Sequence, residues 1–228
     1  MPFFIHARRW LRQIIVTALF VVLGFVGAGR LDWKRGWICT TVCVVCTTAS
    51  GLVVLGFNPG VIKARAQWNH DDTRGFDRVF MSIFFPLTLL QPLVAGLDGV
   101  RFRLLPLPCW TIVPGVVLCL IAMAIVCLAL LANSFAETTV RLQPERGHRV
   151  ATKGPYRVVR HPMYVGLMLL YPSLAFMFGS GWAMAVAAAI DCLFVRRTLQ
   201  EDSFLQRELA GYAEYTRQTR FRLVPWLW

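Results

Sequence analysis

Charge is what this chain has least of, and acid least of all. Of its 228 residues only 16% are charged, and Lys plus Arg outnumber Asp plus Glu by 24 to 12. An ordinary soluble domain carries about 25% charged residues. No G-x-G-x-x-G and no G-x-x-x-x-G-K-[ST] occurs, which removes both soluble nucleotide-binding fingerprints. The chain also lacks H-E-x-x-H and any Ser-His-Asp order worth defending, so metalloenzyme and hydrolase readings have no residues to stand on. Its seven cysteines all fall within or beside apolar runs. Cys43 and Cys46 have C-x-x-C spacing, but no second pair or nearby histidine completes a metal site, and they read as small hydrophobes. Low-complexity stretches and internal repeats are missing too. The cations flank apolar runs instead of forming one stripe, which leaves a nucleic-acid partner without support.

What is present is apolar: 57% of the chain, concentrated in runs at about 13–29, 37–57, 79–97, 109–132, 164–178 and 181–195. Roughly 20 helical residues cross a hydrocarbon core. The expectation is an all-α integral membrane protein of five to six transmembrane helices. The last two runs are short and joined by Gly179-Ser180-Gly181, and read as a tilted hairpin. With the N-terminus inside, one side collects 19 Lys and Arg and the other 5. The positive-inside rule then puts residues 133–163 and the tail from Arg196 together in the cytoplasm of a multi-pass cell-membrane protein. Arg8, Arg9 and Val26-Gly27-Ala28 resemble parts of a cleaved signal peptide, but the apolar run is of full span length and reads as an uncleaved anchor.

Two regions of one structural domain follow from this. Residues 1–132 read as membrane scaffold, with Asn58-Pro59-Gly60 ending the second span and 61–78 an amphipathic interfacial segment anchored by Trp68. Residues 133–228 read as a catalytic loop, the hairpin and a C-terminal helix. A loop of about thirty residues is long enough to ask for a functional reason. After Arg196 a helical pattern runs to about Thr216, with Glu201, Leu205, Glu208, Tyr212 and Tyr215 within roughly 80° on one face. Glu208 reads as interfacial and Glu201, at the membrane exit, as functional. Asp191, an acid inside the last run, is expected to pair with Arg196 or Arg160.

The most informative stretch is 153–167, Lys-Gly-Pro-Tyr-Arg-Val-Val-Arg-His-Pro-Met-Tyr-Val-Gly-Leu. It sets three cations, a histidine and two tyrosines against the start of an apolar helix. Charges near hydrocarbon cost several kcal/mol unless paired or wet, so a polar ligand is expected here. Gly154-Pro155 fixes a turn and Pro162 starts a helix. His161 either meets that ligand or caps the helix.

Gly154-Pro155-Tyr156-Arg157-x-x-Arg160-His161-Pro162-x-Tyr164-x-Gly166 resembles the signature of the isoprenylcysteine carboxyl methyltransferase family. A second half follows about 35 residues later as Glu201-Asp202-x-x-Leu205, Tyr212-x-x-Tyr215 and Arg222-Leu223-x-Pro225. Asn58-Pro59, Arg146-Gly147-His148 and Gly211-Tyr212 extend the likeness over most of residues 58–228. The resemblance implies an S-adenosyl-L-methionine-dependent methyltransferase without a Rossmann domain, its cofactor held at the cytoplasmic membrane face. It assigns Gly154, Pro155, Tyr156, His161, Pro162, Tyr164, Glu201 and Asp202 to the cofactor, and Arg160, Glu201, Tyr212 and Arg222 to catalysis. Asp202 departs from the pattern, since many relatives have a second glutamate there.

An α-carboxylate acceptor, with a pKa near 3.5, is ionised already and needs no strong base. The protein's task is then alignment and exclusion of water, and orientation of this kind supplies roughly 7–11 kcal/mol. The implied partners are a lipophilic or prenylated substrate and membrane lipid, with no nucleic acid, metal or obligate protein partner. N-methylation of a phospholipid headgroup amine is the alternative, with Glu201, Asp202 or His161 as base. An NADPH-dependent sterol-type reductase and a non-catalytic membrane protein are the more distant readings.

Overall fold

The computed structural model describes residues 2–66 and 73–228, with side chains from Ile14 onward except Ala66. Eight α-helices carry the fold. They are α1 (Pro2–Ala28), α2 (Lys34–Phe57), α3 (Pro59–Ala66), α4 (Gly75–Gly96), α5 (Ile112–Ala132), α6 (Pro162–Phe178), α7 (Gly181–Glu208) and α8 (Tyr212–Gln218). The described residues contain no strand, only an isolated bridge between Pro106 and Ser180. Among the described residues, three helical stretches are long and apolar enough to cross a membrane: Lys34–Phe57, Gly75–Phe102 and Cys109–Ala132. Ile14–Ala28 and Pro162–Phe178 are shorter apolar helices.

Small residues let these helices approach closely, as in membrane bundles generally. A Cβ on Gly166 of α6 would stand 2.6 Å from Val126 Cγ2 and 2.8 Å from the Ala122 carbonyl of α5. One on Gly96 of α4 would stand 2.2 Å from the Gly24 carbonyl of α1. The core between α4, α6 and α7 is aromatic, with Phe80, Phe84, Tyr164 and Tyr171 packed around Phe194.

At one end of the bundle Arg35 gathers the carbonyls that terminate α6. Its guanidinium donates to Phe176 O (2.6 Å), Met177 O (2.9 Å), Leu107 O (3.2 Å) and Thr111 Oγ1 (2.6 Å). Beside it Asp98, almost fully buried, accepts from Ser180 Oγ and Leu105 N, both at 2.6 Å. Ser180 in turn caps α7 through Ala183 N (3.0 Å). These contacts fix the turn between α6 and α7, and the polar site lies at the opposite end of that hairpin.

The last apolar run and the polar residues after it lie on one helix, since α7 continues unbroken to Glu208. At 28 residues it is about 42 Å long, more than a hydrocarbon core of about 30 Å, and its last third carries Glu201 and Asp202. Two expectations are corrected, and the first is a single helical pattern to Thr216. Gly211 takes φ +81°, a left-handed conformation open to glycine, and α8 restarts at Tyr212 in a new direction. Asp191 pairs with neither expected arginine: Arg160 is engaged by Asp202, and Asp191 Oδ1 has no hydrogen-bond partner among the described residues. Of the expected interfacial segment 61–78, Trp68 lies outside the described residues.

Candidate active site

The motif folds as a short 3-10 turn over Gly154–Arg157, opened by Gly154 at φ +59° with Pro155 behind it. The turn drives Tyr156 inward. Its hydroxyl accepts from Asn133 Nδ2 (3.2 Å), while its carbonyl accepts from Tyr215 Oη (2.7 Å) and Thr219 Oγ1 (3.3 Å). The tail runs alongside the next residues, so that Arg160 N donates to Phe221 O (2.9 Å) and His161 N to Arg222 O (3.0 Å). Pro162 then occupies the first turn of α6, where its missing N–H is no loss. His161 sits at the N-cap position, but its side chain does not cap the helix.

Instead its ring turns toward Asp202, the centre of a buried hub. Asp202 is fully buried, and Arg160 embraces it through Nε to Oδ1 (2.8 Å) and Nη2 to Oδ2 (2.9 Å). Arg222 Nε and Gln206 Nε2 each donate to Oδ2 at 2.9 Å, and Tyr212 Oη donates to Oδ1 at 3.0 Å. His161 Nε2 lies 3.4 Å from Oδ1. Arg160 spends its remaining donor on the carbonyls of Thr219 (3.0 Å) and Arg220 (2.7 Å). A buried pair persists where its other polar valences are met in this way. Burial alone would raise the Asp202 carboxyl, but hydrogen bonds from His161, Arg160 and Arg222 outweigh it and hold it far below the usual carboxylate range. Burial and the Asp202 charge push the Tyr212 phenol far upward, so it stays a donor.

Glu201 and Asp202 are adjacent in sequence and therefore about 100° apart on α7. Asp202 points into the hub, whereas Glu201 lines an open cleft and accepts a hydrogen bond from Tyr164 Oη. The Tyr164 ring lies parallel to His161, with centroids 5.6 Å apart. One turn back on α7, Arg197 reaches Asp77 Oδ1 (2.7 Å) and the Thr138 carbonyl (2.9 Å), its guanidinium 4.3 Å from the Phe80 ring. Arg197 Nε is buried without a partner among the described residues.

The cleft is open to solvent, and the empty space within it, open solvent included, is about 750 Å³. Loop 133–161 supplies its far wall. There Glu137 holds Arg141 by two hydrogen bonds (2.7 and 3.1 Å), and His148 stacks on Phe135 at 4.7 Å. Burial, then the nearby Arg146 charge, lowers the His148 pKa, so its ring is neutral at pH 7.

Of the residues named from the sequence, Tyr156, Arg160, His161, Tyr164, Glu201 and Tyr212 line this cleft. Gly154, Pro155, Pro162, Asp202 and Arg222 do not; they shape or brace its wall. Sequence reasoning passed over Arg197 as a wall residue, along with the Glu137–Arg141 pair. Arg197 sits four residues before Glu201, one helical turn away on the same face, and that spacing was the available signal.

The site is a polar cleft at one end of apolar helices, walled in part by aromatic rings and backed by a buried ion pair. Residues 110–210 match the model of the phospholipid methyltransferase family, the family in which the isoprenylcysteine carboxyl methyltransferases also fall. The matched segment runs from the start of α5 to just past the end of α7. No curated protein matches the chain.

Proposed function

We propose that the protein transfers a methyl group from S-adenosylmethionine, held in the cleft, to the carboxylate of a lipophilic acceptor such as an isoprenylated cysteine. The observation that carries this reading is Glu201, a carboxylate in the cleft wall oriented by Tyr164, directly beside a hub that keeps the other acid out of the cleft. The donor set fits such a ligand. Glu201 suits an ammonium or ribose hydroxyls, the faces of Tyr164 and Tyr212 suit a sulfonium, and the Phe135–His148 stack gives a flat wall for a base. When bound, the sulfonium supplies an electrophilic methyl group.

The protein's own contribution is placement. Arg160 and Asp202 position His161, Tyr212 and the tail as one unit, and Arg222 closes it from the far side. Arg197, a cleft-wall residue braced by Asp77 and the Thr138 carbonyl, is suited to take the acceptor's carboxylate. No side chain need remove a proton from such an acceptor. The excess of cations on the residues flanking this end favours a cytoplasmic cleft.

Methylation of a headgroup amine is the second reading, and His148 favours it. Its imidazole, neutral and in the cleft wall, is a group able to take a proton from an ammonium, as is the Glu201 carboxylate across the cleft. Proteoliposomes given methyl-labelled donor, with an N-acylated isoprenylcysteine and phosphatidylethanolamine offered side by side, separate the two. Label in a base-labile methyl ester supports the carboxylate; label in a stable headgroup amine overturns it in favour of the second reading.

A further inference from the structure

The last seven residues, 222–228, close on themselves. The backbone N–H groups of Arg222, Leu223 and Val224 all donate to the Trp228 carbonyl, at 3.0, 3.1 and 3.2 Å. The inner side of this loop is fixed to the protein. Leu223 is buried, Trp228 packs on the main core, and Arg222 is clasped to Asp202 with its guanidinium 5.5 Å from the Trp228 ring. Its outer side meets nothing comparable. Trp226 is 90% exposed and Leu227 81% exposed, with Val224 half-exposed beside them. Trp226 also takes φ +61°, a region that bulky side chains avoid, and its ring centroid lies 6.2 Å from that of Phe221.

The occupant of that tip follows from its height along the bundle. The loop is rooted by the backbone pairs Arg160–Phe221 and His161–Arg222, immediately before Pro162, where apolar helix α6 begins. From there α6 runs 17 residues, about 25 Å, to the turn that opens α7 at the other end. Exposed Trp182, Trp110 and Trp37 surround that far turn. Tryptophans thus stand at both ends of α6, separated by close to one hydrocarbon thickness of about 30 Å, the pattern of paired interfacial belts. Exposed Arg217, which pairs with Glu214, and exposed Arg220 precede the loop.

We propose that residues 222–228 form an interfacial anchor whose Trp226–Leu227 tip beds in the headgroup boundary of the bilayer on the side of the cleft. Because Arg222 belongs to the same closed loop, the anchor and the Asp202 hub move as one piece, which sets the height of the cleft relative to the lipid surface. This assignment does not depend on what the cleft binds.

The test is fluorine NMR on the full chain labelled with 5-fluorotryptophan, in nanodiscs of phosphatidylcholine and phosphatidylglycerol. The Trp226 resonance is the one lost in both Trp226→Phe and Trp226→Tyr, and Trp182 serves as the internal standard. A doxyl label at acyl carbon five should broaden Trp226 at least as strongly as Trp182, while a soluble gadolinium chelate should broaden it less than half as much as in detergent-free fluorotryptophan. Broadening by the chelate alone would place the tip in water and overturn the proposal. Broadening by neither agent would mean that protein covers the tip, and would overturn it equally.

Discussion

Replacing Asp202 by Asn tests the hub with the least change of shape. The substitution removes the one anion shared by Arg160 and Arg222 and turns an amide toward at least one guanidinium. Arg160 is 5% exposed at its side chain, so water cannot take over. Removing one partner of a buried pair costs about 3–5 kcal/mol. In a chain of this size 1 kcal/mol moves the melting temperature by about 2–4 °C, which gives a loss of about 6–20 °C. The assay is thermal unfolding of the detergent-purified protein, with Asp191→Asn as control, since Asp191 makes no ion pair among the described residues. The pH dependence has a definite sign. The folded Asp202 pKa is depressed, so its contribution is complete above the unfolded value near 3.9 and is lost only as pH falls below that toward the folded value. The gap between wild type and Asp202→Asn should therefore stay constant from pH 5 to 8. A melting point within 2 °C of wild type, or a gap that closes across that range, would refute the hub as a structural centre.

The remaining predictions concern packing and the cleft. Gly166→Ala puts a methyl 2.6 Å from Val126 Cγ2 and against a carbonyl of α5, and should cost about 1–3 kcal/mol, read as a lower melting temperature. Tyr164→Phe keeps the ring on His161 but removes the donor to Glu201. It should weaken S-adenosylmethionine binding by about 1 kcal/mol, roughly five-fold in Kd by titration calorimetry, with little change in melting. Arg197→Lys keeps the charge near Asp77 but loses the planar fork, and should raise KM for a carboxylate acceptor well over ten-fold in a methyl-transfer assay while leaving donor affinity within two-fold.

Much of the frame was legible because its signals are local. Apolar runs marked α2, α4 and α5, and Pro162 marked the start of α6, because hydrophobic length and a fixed φ act within a few residues. The division between Glu201 and Asp202 was not legible. Both are acids at the exit of one helix, and which faces the cleft depends on partners 37 to 42 residues away in the chain, Tyr164 and Arg160. The break at Gly211 was hidden by a helical pattern that Tyr212 and Tyr215 continue by coincidence of spacing, although they reach the site on a separate helix.

The central claim is that the cleft holds S-adenosylmethionine through Glu201. It is tested most directly by calorimetric titration of that compound into the purified protein and into Glu201→Gln, with NADPH in parallel. The account predicts micromolar binding to the wild type, at least a ten-fold loss in the variant at unchanged melting temperature, and no response to NADPH. Equal affinity in both proteins, or binding of NADPH alone, would contradict it.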